Sequence, residues 1–321
     1  MRNGLKRLKV HPSKSIIFFT VISGTGYGVF FGLLYNILFI EISYSLEYKL
    51  ISSLASFIMI VSGLLSSTFH LGHPERAWRA ISQWKSSWLS REGLAAIVTF
   101  LPMFLFYFFW ILESDLYFLF LILTCIFSII TIFCTGQMYA TLKTIPSWNN
   151  PLVTPIYILN GIMVGSLFVY SINFYFNYNI KSFEHFIFVV IIVNFISKII
   201  YWISINKNTS KTSTQTAIGL KGKEISFFEG PHTGKNYLTT EMINTIKKSN
   251  ANFLRLVFCI LSFITPIYAI YSYKTLIVDP LILKLSMIIV FFLAIVGMII
   301  ERYLFFIQSK HVVGLYYGQR N

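Results

Sequence analysis

The chain has 321 residues, 55% of them hydrophobic and only 12% charged, with a formal net charge of +14. A soluble domain carries about 25% charged residues, so this composition argues against a soluble enzyme and for a polytopic helical membrane protein. Nucleic acid does not explain the positive charge, because the basic residues gather in the turns on one side of the apolar segments, as membrane topology requires.

Eight segments are long enough to cross a hydrocarbon core of about 30 Å. They lie near residues 15–40, 50–70, 93–112, 116–140, 153–177, 183–203, 251–271 and 281–300. The runs are continuously apolar rather than alternating, which excludes a β-barrel. The expected fold is all-α, a bundle of eight transmembrane helices forming one integral membrane domain over residues 1–321. The first run follows MRNGLKRLKVHPSK and exceeds the about 7–15 apolar residues of a signal peptide, so a retained span is expected. Lysine and arginine crowd residues 1–14, the turn after the second span, the turn after the fourth and the loop 206–250. The positive-inside rule then puts both termini and that loop in the cytoplasm.

In span one Gly24, Gly28 and Gly32 share a helical face, and Gly161 and Gly165 repeat the spacing in span five. Such faces let helix backbones, or a flat ligand, come close, and packing is the commoner use. Lys198 lies in span six one turn after Asn194, where snorkelling toward the interface is expected rather than a relay. Glu301 and Arg302 close the last span, as an interfacial pair or helix-end anchor. The loop 206–250 is polar and too short to fold alone; it is a flexible linker or a segment ordered by a partner.

The stretch FHLGHPERAWRAISQWKSSWLSREGL, from Phe69 to Leu94, joins spans two and three and concentrates the chemistry. It holds His70, His73, Arg76, Arg79, Lys85, Arg91 and Glu92 among Trp78, Trp84 and Trp88. Ionisable residues clustered at a membrane are a functional-site hypothesis, although tryptophan and basic residues also anchor ordinary interfaces. His70 ends one helix. Ser90 is a candidate N-cap for the next, with Glu92 in its first turn, where the dipole favours a carboxylate. The two can face one pocket at the membrane surface. A histidine can hydrogen-bond a quinone carbonyl, and a nearby carboxylate can pass protons to water. Haem is not expected: only His70 and His185 touch the spans, at ends on opposite sides, whereas a bis-histidine haem needs facing imidazoles. Cys125, Cys134 and Cys259 lie inside apolar runs without a C-x-x-C pair, so no metal or iron–sulfur site is expected in this chain.

HLGHPERAWRAISQWKSSWLSRE resembles the signature of the DmsC-type membrane anchors of dimethyl sulfoxide reductase family molybdoenzymes. TLKTIPSWNNPLVTP and IERYLFFIQSKHVVGLYYG look like two further blocks of that family, and the similarity extends over most of the chain. The resemblance implies an anchor in the bacterial cytoplasmic membrane for a molybdopterin catalytic subunit and a four-cluster iron–sulfur subunit. It implies electron exchange with ubiquinone or menaquinone, without haem. It carries the family's functional histidine onto His70 and its functional glutamate onto Glu92, and matches Arg76 to a recurring basic position. Arg76 is then a fixed cation for negative charge on the reduced quinone. VHPSKSIIFFT, HLGHPERAWRA, TAIGL and PHTGKNYL resemble the branch that serves cytoplasm-facing sulfite dehydrogenases, with electrons flowing from sulfite to quinone. The alternative within the family is a menaquinol-oxidising anchor of a sulfoxide reductase. Arg79, Trp84, Lys85 and Trp88 offer the charge and aromatic area that dock a partner subunit. A secondary transporter, from another class, would show repeated halves and paired broken helices, which are not visible.

Overall fold

The computed structural model describes residues 13–40, 43–68, 73–178, 181–207, 215, 218–219, 248–275 and 279–317. Eight of its helices are long and apolar enough to cross a membrane: α1 Lys14–Phe39, α2 Leu46–Thr68, α3 Trp88–Ile111, α4 Leu116–Ala140, α5 Val153–Tyr175, α6 Lys181–Lys207, α7 Ser249–Ser272 and α8 Pro280–Ile307. Each expected span corresponds to one of them. Short 3₁₀ helices follow α2 and α8, at Pro74–Gln83 and Val312–Tyr317. Residues 1–12 and most of the loop 206–250 lie outside the described residues.

The most enclosed helices are α1 and α5. They run parallel, and their glycines explain why they are central. A Cβ on Gly28 would overlap the Gly161 carbonyl, and one on Gly165 would overlap the Gly28 backbone. Only glycine permits that approach, and close van der Waals packing is what holds helices together in lipid. At the end of α1 away from the chain's N-terminus, Asn36 Nδ2 donates to Asn173 Oδ1 of α5 at 3.1 Å, and Tyr48 of α2 donates to the same oxygen at 2.7 Å. Around this pair, α2 packs on α1, α4 and α8 pack on both, and α6 packs mainly on α5. α3 packs on α4, and α7 on α8. The outward faces carry exposed leucine, isoleucine and phenylalanine such as Leu54, Leu101, Phe104 and Phe292.

In α7 the ladder shifts to π-helical hydrogen bonding over Ile260–Ile264. Pro266 follows and has no N–H to continue the α pattern, and the Thr265 N–H reaches back to the Ile260 carbonyl.

Two expectations about span ends are corrected. α8 continues to Ile307, so Glu301 and Arg302 lie inside it and are buried at 1% and 3% exposure. Lys198 does not snorkel: it is 3% exposed and its ammonium is paired with Glu301. A carboxylate one helix away inside the bundle is nearer than water, and pairing there removes the need to reach the surface.

Candidate functional site

The turn between α2 and α3 is tied down by its own arginine. Arg91 donates from Nε to the Trp84 carbonyl at 2.9 Å and from Nη2 to the Lys85 carbonyl at 2.7 Å. Its guanidinium lies over the Trp88 ring at 4.3 Å. The N-cap of α3 is Ser87, whose side chain accepts from the Ser90 N–H, and not Ser90. The helix therefore begins earlier than expected, and Glu92 is its fifth residue, about 6 Å inside it at 1.5 Å per residue.

That shift takes Glu92 out of the dipole-favoured first turn and into the protein. It is 3% exposed. Thr135 of α4 donates to its Oε1. Thr131, one turn from Thr135 on α4, faces Thr99 of α3 at 3.3 Å between hydroxyl oxygens. No lysine, arginine or histidine among the described residues pairs with the Glu92 carboxylate. A buried charge without a partner is costly, so this position suits a group that exchanges a proton.

Beside it, α1, α4 and α5 leave a cleft of about 10 Å³ bordered by Ser23, Gly24, Tyr27, Thr131, Thr135 and Tyr157. The Tyr157 ring carries the Arg302 guanidinium at 3.4 Å. Arg302 Nε is 3.2 Å from Glu301 Oε2, and Glu301 is paired with Lys198. This second cluster holds two cations and one carboxylate. The segment after α4 closes over it: Trp148 Nε1 donates to the Phe305 carbonyl at 3.0 Å, Tyr201 donates to the Ser147 carbonyl at 3.1 Å, and the Val312 N–H donates to the Thr144 carbonyl at 3.0 Å.

Of the residues singled out from the sequence, His70 lies outside the described residues. Arg76 is exposed, with Nε 3.8 Å from Glu75 Oε1, and it does not meet Glu92. Arg79, Trp84 and Lys85 are exposed on the turn, whereas Trp88 is half-buried with its ring edge to face with Phe133 of α4. Sequence reasoning missed Thr135, Thr131, Tyr27 and Tyr157, and read Arg302 only as part of an interfacial pair or helix-end anchor. The i, i+4 threonine pair in α4 was a visible signal, but nothing in the sequence joins Tyr157 to Arg302. A larger cavity, about 220 Å³, opens at the other end of the bundle. Its carboxylate, Glu184, is held by Tyr273 and Lys274, each at 2.6 Å, and no sequence block of interest meets there. Among the described residues no group of three histidine, cysteine or acidic side chains is placed to hold a metal.

A subunit of the sulfite dehydrogenase of Allochromatium vinosum is 29% identical over 96% of this chain and 99% of its own length. The family model described as DMSO reductase anchor subunit (DmsC) matches residues 1–318, and the chain belongs to that family.

Proposed function

We propose that this chain anchors a molybdopterin and iron–sulfur oxidoreductase at the bacterial cytoplasmic membrane, with both termini cytoplasmic, and that it passes electrons to the quinone pool. The likeness to a sulfite dehydrogenase subunit supports sulfite as the compound oxidised by the partner catalytic subunit. The observation that carries the quinone role is Glu92: a buried carboxyl, held by one threonine and paired with no cation among the described residues, at the bundle end that bears the turn. Oxidation of sulfite releases two electrons, and reduction of a quinone consumes two electrons and two protons. In this reading the chain supplies the proton path. His70 hydrogen-bonds a ring carbonyl, Glu92 exchanges protons with water, and the cation of Arg76 favours negative charge on the ring oxygens. The donor set fits a quinone head group in its chemistry. The cleft of about 10 Å³ has room for a water and not for a ring, so the head group belongs beside the turn.

The test compares two activities in the same membranes. His70→Ala and Glu92→Gln should abolish or strongly slow electron transfer to quinone, while electron transfer to a soluble artificial acceptor persists, because the molybdenum centre sits in another chain. Wild-type quinone reduction in both variants would move the site elsewhere. Arg79, Trp84 and Lys85 form the exposed face proposed to dock the iron–sulfur subunit, with Trp88 fixing the turn beneath them. Arg79→Glu with Lys85→Glu should release the partner subunits from washed membranes. Retention of the complex would leave those residues as interfacial anchors.

A further inference from the structure

Two buried tyrosine hydroxyls, those of Tyr27 and Tyr157, have no hydrogen-bond partner among the described residues, and both border the cleft beside Thr135. The two residues are 2% and 4% exposed. Thr131 stands next to Tyr27 with its hydrogen given to the Phe127 carbonyl at 2.9 Å, so its oxygen can only accept from Tyr27, and the Tyr27 oxygen stays open as an acceptor. Native proteins seldom leave buried hydroxyls unpaired. An ordered water needs about 10–15 Å³ and two to four polar partners. The cleft offers about 10 Å³ together with the hydroxyls of Tyr27, Thr135 and Tyr157. On the other side of Tyr157 the Arg302 guanidinium lies over the ring at 3.4 Å, with its Nε 3.2 Å from Glu301 Oε2.

We propose that this cleft holds an ordered water which, with the Tyr157 hydroxyl, joins Glu92 to the buried Lys198–Glu301–Arg302 cluster, so that Glu92 exchanges protons through the interior of the bundle as well as at the membrane surface. The charged groups along the route are Glu92 on α3, Lys198 on α6, Arg255 on α7, and Glu301 and Arg302 on α8; α1, α4 and α5 contribute hydroxyls. A proton released by bulk water and arriving on the Glu301 side moves by concerted exchange, while Lys198, Glu301 and Arg302 keep their charge states. Tyr157 gains one proton as it gives its own to the water, the water gives one to Thr135, and Thr135 gives its own to Glu92 Oε1. Each relay ends neutral, Glu92 gains one proton, and no electron moves. Tyr157 is thus a proton-handling residue and Arg302 the group that positions its ring. The inference rests on the proposed role of Glu92.

Gly24 makes the proposal testable without touching a polar group. It borders the cleft, and a Cβ placed there meets nothing within 4 Å. In the assembled complex, Gly24→Ala should crowd the cleft from its border and displace the water, and Tyr157→Phe should keep the ring on Arg302 while removing the relay. Each should slow quinone reduction about tenfold, below the full contribution of a proton-transfer group, with a larger solvent deuterium isotope effect and an unchanged amount of the partner subunits. Gly24→Ser, which supplies a hydroxyl in the water's place, should recover part of the rate. An experimental structure of the wild-type complex that resolves ordered water should show one in the cleft, and none in Gly24→Ala. An empty wild-type cleft overturns the proposal, as does wild-type turnover in both Gly24→Ala and Tyr157→Phe. If Glu92→Gln still slows quinone reduction in that case, the reading of Glu92 stands and only the interior route fails. Wild-type turnover in Glu92→Gln removes both. Loss of the partner subunits from the Gly24 and Tyr157 variants overturns the route in favour of an assembly role.

Discussion

Glu92 and Glu301 are buried to nearly the same extent, 3% and 1% exposed, and the bundle treats them in opposite ways. Glu301 is enclosed by Lys198 and Arg302, so its charge is compensated and its place is structural. Glu92 has a threonine hydroxyl and no cation among the described residues. The same side chain at the same burial therefore serves two ends. Compensated, it ties α6 to α8. Uncompensated, it is in the proposed reading the group that takes up and gives back a proton. Glu184, at the opposite end, follows the first pattern with Tyr273 and Lys274. In the proposed reading, missing compensation and not burial alone marks the functional carboxyl.

The sharpest way to break this contrast is to neutralise Glu301. Glu301→Gln leaves Lys198 and Arg302 buried as two uncompensated cations, and breaking a buried pair costs about 3–5 kcal/mol. The variant should show a large fall in thermal stability in detergent and in membrane yield. A variant as stable as the wild type would mean that the cluster is hydrated and not structural. Glu92→Gln should do the reverse. Its amide keeps the shape, so stability should change by less than about 1 kcal/mol, the worth of one ordinary hydrogen bond, while quinone reduction falls about 100-fold or more. A stability loss as large as that of Glu301→Gln would erase the distinction between the two acids. Thr135→Val comes next. It removes the only described hydrogen-bond donor to Glu92 in an isosteric side chain, and should slow quinone reduction about tenfold, the worth of about 1.4 kcal/mol. Unchanged turnover would show that Glu92 is positioned by something else.

The smallest effect concerns the lid over the compensated cluster. His311 Nδ1 accepts from the Val313 N–H at 3.0 Å, beside the Val312 contact to Thr144. Burial holds the His311 imidazole below its ordinary pKa, so the folded state favours the neutral form. The contact is then complete above the ordinary histidine value of about 6.5 and is lost as pH falls through the lower folded value. Exchange of the Val313 amide, corrected for intrinsic rate, should be more protected at about pH 8 than at about pH 5. Equal protection at both would show that the lid is held by its other contacts.

Much of the fold was legible in the chain. Eight apolar runs, the glycine faces of α1 and α5, and the turn 69–94 were all readable, because span length, small-residue spacing and charge clustering are local properties. Membership of the DmsC family was readable from the turn and two other blocks. The site was legible only in part. Glu92 stood out because an acid beside a span is rare, but its depth did not, since it depended on whether Ser87 or Ser90 capped α3. The blocks TLKTIPSWNNPLVTP and IERYLFFIQSKHVVGLYYG were separate in the sequence and meet through Trp148 and Phe305.

What the sequence determined by itself is the solvent of each segment: which runs lie in lipid, which turns collect positive charge, and which helices can touch backbone to backbone. What the tertiary structure alone decided is which buried charges are compensated. Lys198 and Glu301 are 103 residues apart, and Glu92 and Thr135 are 43 apart. The physical reason is that compensation depends on through-space distance between side chains of different helices, and no spacing along one helix encodes which neighbour that helix will pack against.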